Sequence, residues 1–354
     1  MNRMQRIGAG VLALVAAGLL AACGDEPAEI ADVEGGLVVK GAGATFPQPV
    51  YARWIEEYQK SHPEVRFSYD SVGSGEGIKR FLAGGVDFGA SDAALSDAEL
   101  AKVDPARGVV MIPMTAGMVV LAYNIPGVGP GLRLPRDVYQ DIFAGKIRKW
   151  DDPRVAEANP GLSLPSVDVV TVVRRDSSGT TFAFTNHLGA ANPWWATQGP
   201  GIGKLVDWPG NAMTAPGNEG VARRVEITSG AIGYMGYEFA NRLGLPMAIL
   251  QNQAGAFVAP GPESGQAALA SADAIPADLR VFIPDPAGPA AYPIVTYTWI
   301  LLNAHYADSA KAQALREAMG WGLDEGQPFA RDLGYIPLPE SMVARAGEAL
   351  SRVR

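Results

Sequence analysis

Three glycine-rich turns hold the side chains with chemistry in them. Residues 41–54 read GAGATFPQPVYARW, residues 71–77 read SVGSGEG, and residues 174–181 read RRDSSGTT. Each offers hydroxyls beside main-chain N–H groups that no bulky side chain masks, and each leads into a helix-like stretch. The first N–H groups of a helix have no intrahelical acceptor and carry partial positive charge, so such a terminus accepts an anion. The third turn adds arginine, and Asp92 closes a neighbouring apolar run, VDFGASD. Serine and glycine also cap helices for structural reasons alone. Three such turns together, one with an arginine, point to an anion site.

Other chemistries fit less well. GAGATF has the first two glycines of a dinucleotide-binding turn, but Phe46 stands where the third belongs, and no ribose-binding acid follows at the usual distance. Neither SGEGIK nor AGKIRK has the P-loop spacing. A secreted serine-type hydrolase or phosphatase using Ser178 is the enzyme alternative, and it needs a base within hydrogen-bond reach. His187 lies nine residues along the same helical pattern, about 13 Å away. His62 and His305, the other histidines, sit in no motif and read, like His187, as surface or packing residues. No His/Asp/Glu cluster has metal-ligand spacing, so neither metal nor cofactor is expected.

The chain has 354 residues, which suggests about two domains. Hydrophobic residues make up 48%, enough for a large core, and charged residues only 19%. A net charge of −8 argues against a nucleic-acid partner and against long-range steering of anions, so an anion site must work locally. Arg3 and Arg6 precede the apolar run Ile7–Ala22, which is short for a membrane span and ends in LAACG. Residues 1–22 therefore read as a signal peptide. Cys23 is the only cysteine, which excludes a disulfide within one chain. Residues 24–36, GDEPAEIADVEGG, are acidic and without pattern, as a tether is.

The turns need elements to position them. Strand patterns are expected at 37–40, 65–72, 86–92, 167–175, 231–237 and 292–303, and helical ones at 46–58, 76–85, 96–103, 135–145, 180–189 and 218–228. The run 108–125 is apolar and β-branched but broken by Pro113 and Gly117. Residues 253–290 read as loop plus a short helix, and 309–354 as helices around a loop at Pro337–Pro339. Alternating strands and helices indicate an α/β fold with mostly parallel sheets, in which ligands bind at the carboxyl ends of strands. Phe46, Trp54, Tyr58 and Trp299 are core by spacing. FAGKIRKWDD (143–152) is either a docking surface or a solvated loop.

Several of these stretches together resemble one family. GAGATFPQPVYARW, SVGSGEGIK, VDFGASDAALSDAEL, FAGKIRKWDDP, NPGLSLP, VVRRDSSGTTFAFTNHL and GAIGYMGYEFA occur in order from about residue 38 onward. They are similar to the phosphate-binding protein of the bacterial high-affinity phosphate ABC transporter, the PstS family. The resemblance implies a two-domain periplasmic-binding-protein fold (type II), with the ligand in the interdomain cleft. Domain I would comprise 37–115 plus 294–354, and domain II 116–293. It implies a non-enzymatic, monomeric, extracytoplasmic (periplasmic or cell-surface) receptor that captures inorganic phosphate and delivers it to an ABC permease. Carried over residue by residue, the phosphate ligands would be Thr45, Phe46, Ser74, Asp92, Arg174, Ser178, Gly179 and Thr180. Asp176 would support Arg174. Ser177 stands where the family has glycine, which would cost about a kcal/mol if that position needs positive φ. LAAC resembles a lipobox, which implies lipidation of Cys23 and a membrane-anchored tether over 23–36.

Overall fold

The computed structural model describes residues 36–210, 212–272 and 274–354. The expected signal peptide, Cys23 and the tether up to residue 35 lie outside the described residues.

The first strands and helices alternate as the patterns predict. β1 (Leu37–Gly43) leads to α1 (Gln48–Ser61), β2 (Val65–Ser71) to α2 (Ser74–Leu82), and β3 (Phe88–Ser91) to the single turn α3 (Asp97–Leu100). α1 forms because Val50, Tyr51, Trp54 and Tyr58 fall on one face, and all four are buried. α3 is fixed by a capping box between Ser96 and Glu99.

β4 (Val110–Asn124) departs from expectation, because it runs unbroken through Pro113 and Gly117. Pro113 is tolerated because the register of the facing strand shifts between Thr298 and Trp299, a bulge that leaves a proline beside a ladder interruption. Gly117 is needed for contact rather than for a bend: a Cβ there would lie 2.6 Å from the Phe46 ring. Every residue of β4 except Asn124 is buried, so the strand reads as one apolar run without alternation.

After β4 come β5 (Arg133–Leu134), α4 (Arg136–Phe143), α5 (Pro153–Ala158), β6 (Val170–Arg174), α6 (Gly179–Ala191), α7 (Pro193–Thr197) and β7 (Met213–Ala215). Then follow α8 (Gly217–Ile227), β8 (Ala231–Gly236), α9 (Tyr237–Arg242), β9 (Ile249–Gln251), β10 (Phe257–Val258) and α10 (Pro262–Leu269). The chain closes with β11 (Val295–Leu302), α11 (Ser309–Leu323), α12 (Gln327–Asp332) and α13 (Glu340–Leu350).

Eight strands form one sheet in the order β2-β1-β3-β11-β4-β8-β6-β7, and β10-β9-β5 form a small second sheet. Both flanks of the large sheet are parallel, as expected, but its centre is not: β11 runs antiparallel to β3 and β4, and β4 to β8. β4 is shared. Val110–Met118 pair with β11, and Val119–Asn124 pair with β8. The described residues belong to one compact unit. Phe46, Trp54, Tyr58 and Trp299 are all buried.

FAGKIRKWDD is not a uniform surface. Trp150 is fully buried and donates its indole N–H to the Gly230 carbonyl at 2.9 Å. Lys146 pairs with Asp141 and lies over the Trp194 ring.

Candidate functional site

The three glycine-rich turns follow the carboxyl ends of β1, β2 and β6, and Asp92 follows β3. The structure brings them together. The Ser74 hydroxyl oxygen accepts the Gly179 N–H at 3.0 Å and the Asp92 N–H at 3.3 Å. It therefore ties the starts of α2 and α6 to the end of β3. Gly179 permits this approach, because a Cβ there would lie 2.6 Å from Asp92 Cβ and 2.6 Å from Ser74 Oγ. The Thr180 hydroxyl faces Asp92 Oδ2 at 3.4 Å.

Asn218, at the start of α8, was not marked by the sequence. It is fully buried, and its Nδ2 donates to Thr45 Oγ1 at 2.9 Å and to Thr180 Oγ1 at 3.1 Å. Its main-chain N–H also donates to Thr45 Oγ1, so that hydroxyl keeps its own proton to donate elsewhere. Its side-chain carbonyl accepts the Gly236 N–H. The sequence hint was only Gly217 before it, with φ of 63°, as a sharp entry to a helix requires.

Phe46 contributes main chain only. Its ring is fully buried edge-on against Tyr335, whose hydroxyl donates to the Phe46 carbonyl at 2.6 Å. Ser178 caps α6, its Oγ accepting the Thr181 N–H at 3.1 Å, and its own N–H goes to the Lys204 carbonyl. The Thr180 N–H lies in the first turn of α6, where no helical carbonyl is available to it.

Arg174 supplies the charge. Its side chain is 1% exposed, whereas Arg175 points to solvent. Nε donates to Asp176 Oδ1 at 2.8 Å, Nη2 bonds Asp176 Oδ2, and Oδ1 also accepts the Gly217 N–H at 2.9 Å. Nη1 is buried and has no partner among the described residues. A buried cationic donor in that state costs several kcal/mol unless something negative is placed against it.

The two carboxylates here titrate in opposite directions. Burial pushes Asp92 up to about 7, against the Thr298 hydroxyl bond (2.9 Å), the Arg174 charge and Thr180. Half-burial also opposes ionisation of Asp176, but the Arg174 bond and charge and the Gly217 N–H outweigh it and hold Asp176 below the usual range. Ser177 has no positive φ, so serine in place of glycine is not strained there. Its carbonyl accepts the Gly75 N–H at 2.9 Å.

A cavity of about 320 Å³ opens beside the cluster, lined by Thr45, Gln48, Ser71 and Val72 on one side and Asp176, Pro216, Gly217, Glu219 and Phe239 on the other. Among the described residues no group of three or more His, Cys, Asp or Glu is placed to hold a metal. No helix among them is long and apolar enough to cross a membrane.

A family model described as a PBP superfamily domain matches residues 27–315. A Pasteurella multocida protein named phosphate-binding protein PstS is 37% identical over 309 residues, 87% of this chain and 88% of that one. The chain belongs to the PstS family of the PBP superfamily. A Xylella fastidiosa (strain 9a5c) protein of the same name is 38% identical over 86% of this chain and 82% of its own. Among solved structures, a high affinity periplasmic phosphate-binding protein (PfluDING) bound with phosphate matches with a TM-score of 0.73 at 23% identity. That match covers 87% of this chain and 92% of the other. A phosphate binding protein from Stenotrophomonas maltophilia matches at 0.71 and 23%, over 88% and 94%. These likenesses place the chain in the two-domain type II fold of that family.

The hydrolase alternative finds no support at Ser178. His187 is buried, bonds Tyr139 and the Pro284 carbonyl, and is held neutral by burial, down to about 4, against the pull of Asp285 and Pro284. Ser178 Oγ has an amide, not a base, against it.

Proposed function

We propose that this chain captures inorganic phosphate outside the cytoplasm and delivers it, as a monomer, to the permease of an ABC importer. It is a binding protein, not an enzyme. The observation that carries the reading is Arg174: a buried cation whose Nη1 has no partner among the described residues, braced by Asp176, amid converging hydroxyls and helix N-termini. The Pasteurella and Xylella relatives, named for phosphate binding, support phosphate as that anion.

In this reading the ligand is held by Arg174 Nη1, by the hydroxyls of Thr45, Ser74, Ser178 and Thr180, and by main-chain N–H groups at Phe46 and Thr180, and the Gly179 N–H leaves Ser74 Oγ to join them. Asp92 faces the anion and accepts the proton that phosphate still carries near neutral pH, so the contact is a hydrogen bond rather than a repulsion. Sulfate has no such proton and would set like charges together at low dielectric. The lobes are 37–115 plus 294–354 and 116–293, with β4 and β11 at the crossing and the cavity beside Thr45 as the cleft mouth. Domain closure of this kind sequesters a ligand from water.

Calorimetric titration with phosphate tests the reading: saturable 1:1 binding is expected, with no release of product from a chromogenic phosphate ester. No heat of binding at any accessible concentration, or ester turnover lost on Ser178→Ala, would reject it. The proposed tether makes a separate prediction. Cys23→Ala should move the protein from the membrane to the soluble fraction, and unchanged fractionation would reject lipid attachment while leaving phosphate binding intact.

A further inference from the structure

Lys204 belongs to the loop after α7, and two contacts fix that loop to α6. The Lys204 carbonyl accepts the Ser178 N–H at 2.7 Å, and the Thr185 hydroxyl oxygen accepts the Gly203 N–H at 3.2 Å. The Lys204 side chain runs the other way. Its Nζ donates to Glu99 Oε1 of α3 at 2.6 Å, with the two side chains 19% and 18% exposed. Glu99 is preset for this contact, because its Oε2 accepts the N–H and the hydroxyl of Ser96 and leaves Oε1 for the lysine. Among the described residues each is the other's only ion-pair partner. Burial opposes ionisation of Glu99, but the Lys204 bond and the Ser96 N–H outweigh it and hold the carboxyl below the usual range.

We propose that Lys204 is a positioning residue for the anion site: it ties the start of α6 in one proposed lobe to α3 in the other and holds the cleft shut on phosphate. Both ends of the tie adjoin proposed ligands, Ser178 at one and Asp92, just ahead of α3, at the other. The inference rests on the phosphate reading and on the lobes proposed with it.

A second cation from the same proposed lobe grips the same turn. Arg280 Nη1 donates to Asp97 Oδ1 at 2.6 Å and to the Leu95 carbonyl at 3.3 Å, while its Nε donates to Asp278 Oδ2 at 2.7 Å. Between Asp278 and Arg280, Leu279 has φ of 59°, the only positive φ outside glycine among the described residues. A branched side chain is strained there. Burial of Leu279 and the Trp299 indole N–H, which donates to its carbonyl at 2.9 Å, hold it in that conformation. The strained turn aims Arg280 at α3. Asp97 is 88% exposed, so water screens this pair and Lys204–Glu99 carries more of the tie.

Release of radiolabelled phosphate into an unlabelled chase tests the tie. Lys204→Met keeps the packing stem, and Glu99→Gln keeps an acceptor for Ser96. Each should release phosphate about five-fold faster than wild type, with association changed by less than about two-fold. The double variant should be no faster than either single one, because both remove the same contact. Lys204→Arg, which keeps the charge, should stay within about two-fold of wild type. Wild-type release from either single variant, effects that multiply in the double variant, or Lys204→Arg as fast as Lys204→Met overturns the proposal. A second readout needs no ligand. Hydrogen exchange at the Ser178 amide should quicken about five-fold in Glu99→Gln, which alters no group of α6. Unchanged exchange there overturns the tie even if phosphate does not bind, whereas absent binding in wild type counts against the phosphate reading.

Discussion

The end of β3 and the β6–α6 loop each bring a carboxylate to the surroundings of Arg174, and the two behave differently. Asp176 is half-buried, spends both oxygens on the guanidinium and takes one more N–H from Gly217, so its charge is fully answered. Asp92 is 1% exposed, and among the described residues only two hydroxyls, Thr298 and Thr180, reach its carboxylate. Desolvation wins there, and its carboxyl rises to about 7. The same residue type thus serves as a permanent brace in one place and as a poised acceptor in the other, and the difference lies in burial and in the donors supplied.

The largest expected effect comes from removing the group that both carboxylates answer to. Arg174→Ala should weaken phosphate binding at least ten-fold, since charge-assisted hydrogen bonds contribute about 1.5–3 kcal/mol each. Arg175→Ala, on the exposed side of the strand, should change it less than two-fold. Calorimetry on both decides, and a reversed order would mean that the wrong arginine faces the ligand.

Asp92→Asn sharpens the contrast next. Asp92 binds its proton more tightly in the folded chain than in the unfolded one. Its stabilising effect is complete below the ordinary aspartate range near 4 and is lost as pH rises to about 7. The amide carries no charge at any pH. Ligand-free Asp92→Asn should therefore gain on wild type in melting temperature by a few degrees between pH 4 and 8. A difference that does not change with pH would show that Asp92 carries no such strain.

The smallest effect belongs to the brace. Asp176→Asn keeps one acceptor for Arg174 and should weaken phosphate about five-fold, less than loss of the arginine itself. The acid side of stability should also respond, because Asp176 is held below its usual range: its contribution is present above the unfolded pKa and lost as pH falls. A binding loss as large as that of Arg174→Ala would mean that Asp176 does more than orient its partner.

Much of this was legible in the sequence because it is local. Each glycine-rich turn and the helix start after it can be read within a dozen residues, whereas the preference for Arg174 over Arg175 comes from the family motif. What escaped depends on partners far along the chain. Asn218 bridges Thr45 and Thr180, 173 and 38 residues away. Thr298 reaches Asp92 across 206 residues, and Tyr335 reaches Phe46 across 289. Asparagine, threonine and tyrosine in apolar surroundings carry no local signal of such a role. Pro113 misled for a related reason: proline breaks strands by rule, and the bulge that admits it is set by the facing strand. The antiparallel centre of the sheet likewise follows from β11 returning beside β4, which periodicity alone does not reveal.

The account turns on Asp92 as an acceptor for the ligand's proton. Competitive displacement of bound phosphate by sulfate, near neutral pH and at constant ionic strength, tests it most directly. The account predicts that sulfate fails to displace phosphate from wild type and does so measurably from Asp92→Asn, whose amide can donate to an unprotonated oxygen. Sulfate competing with phosphate on equal terms in the wild-type protein would contradict it.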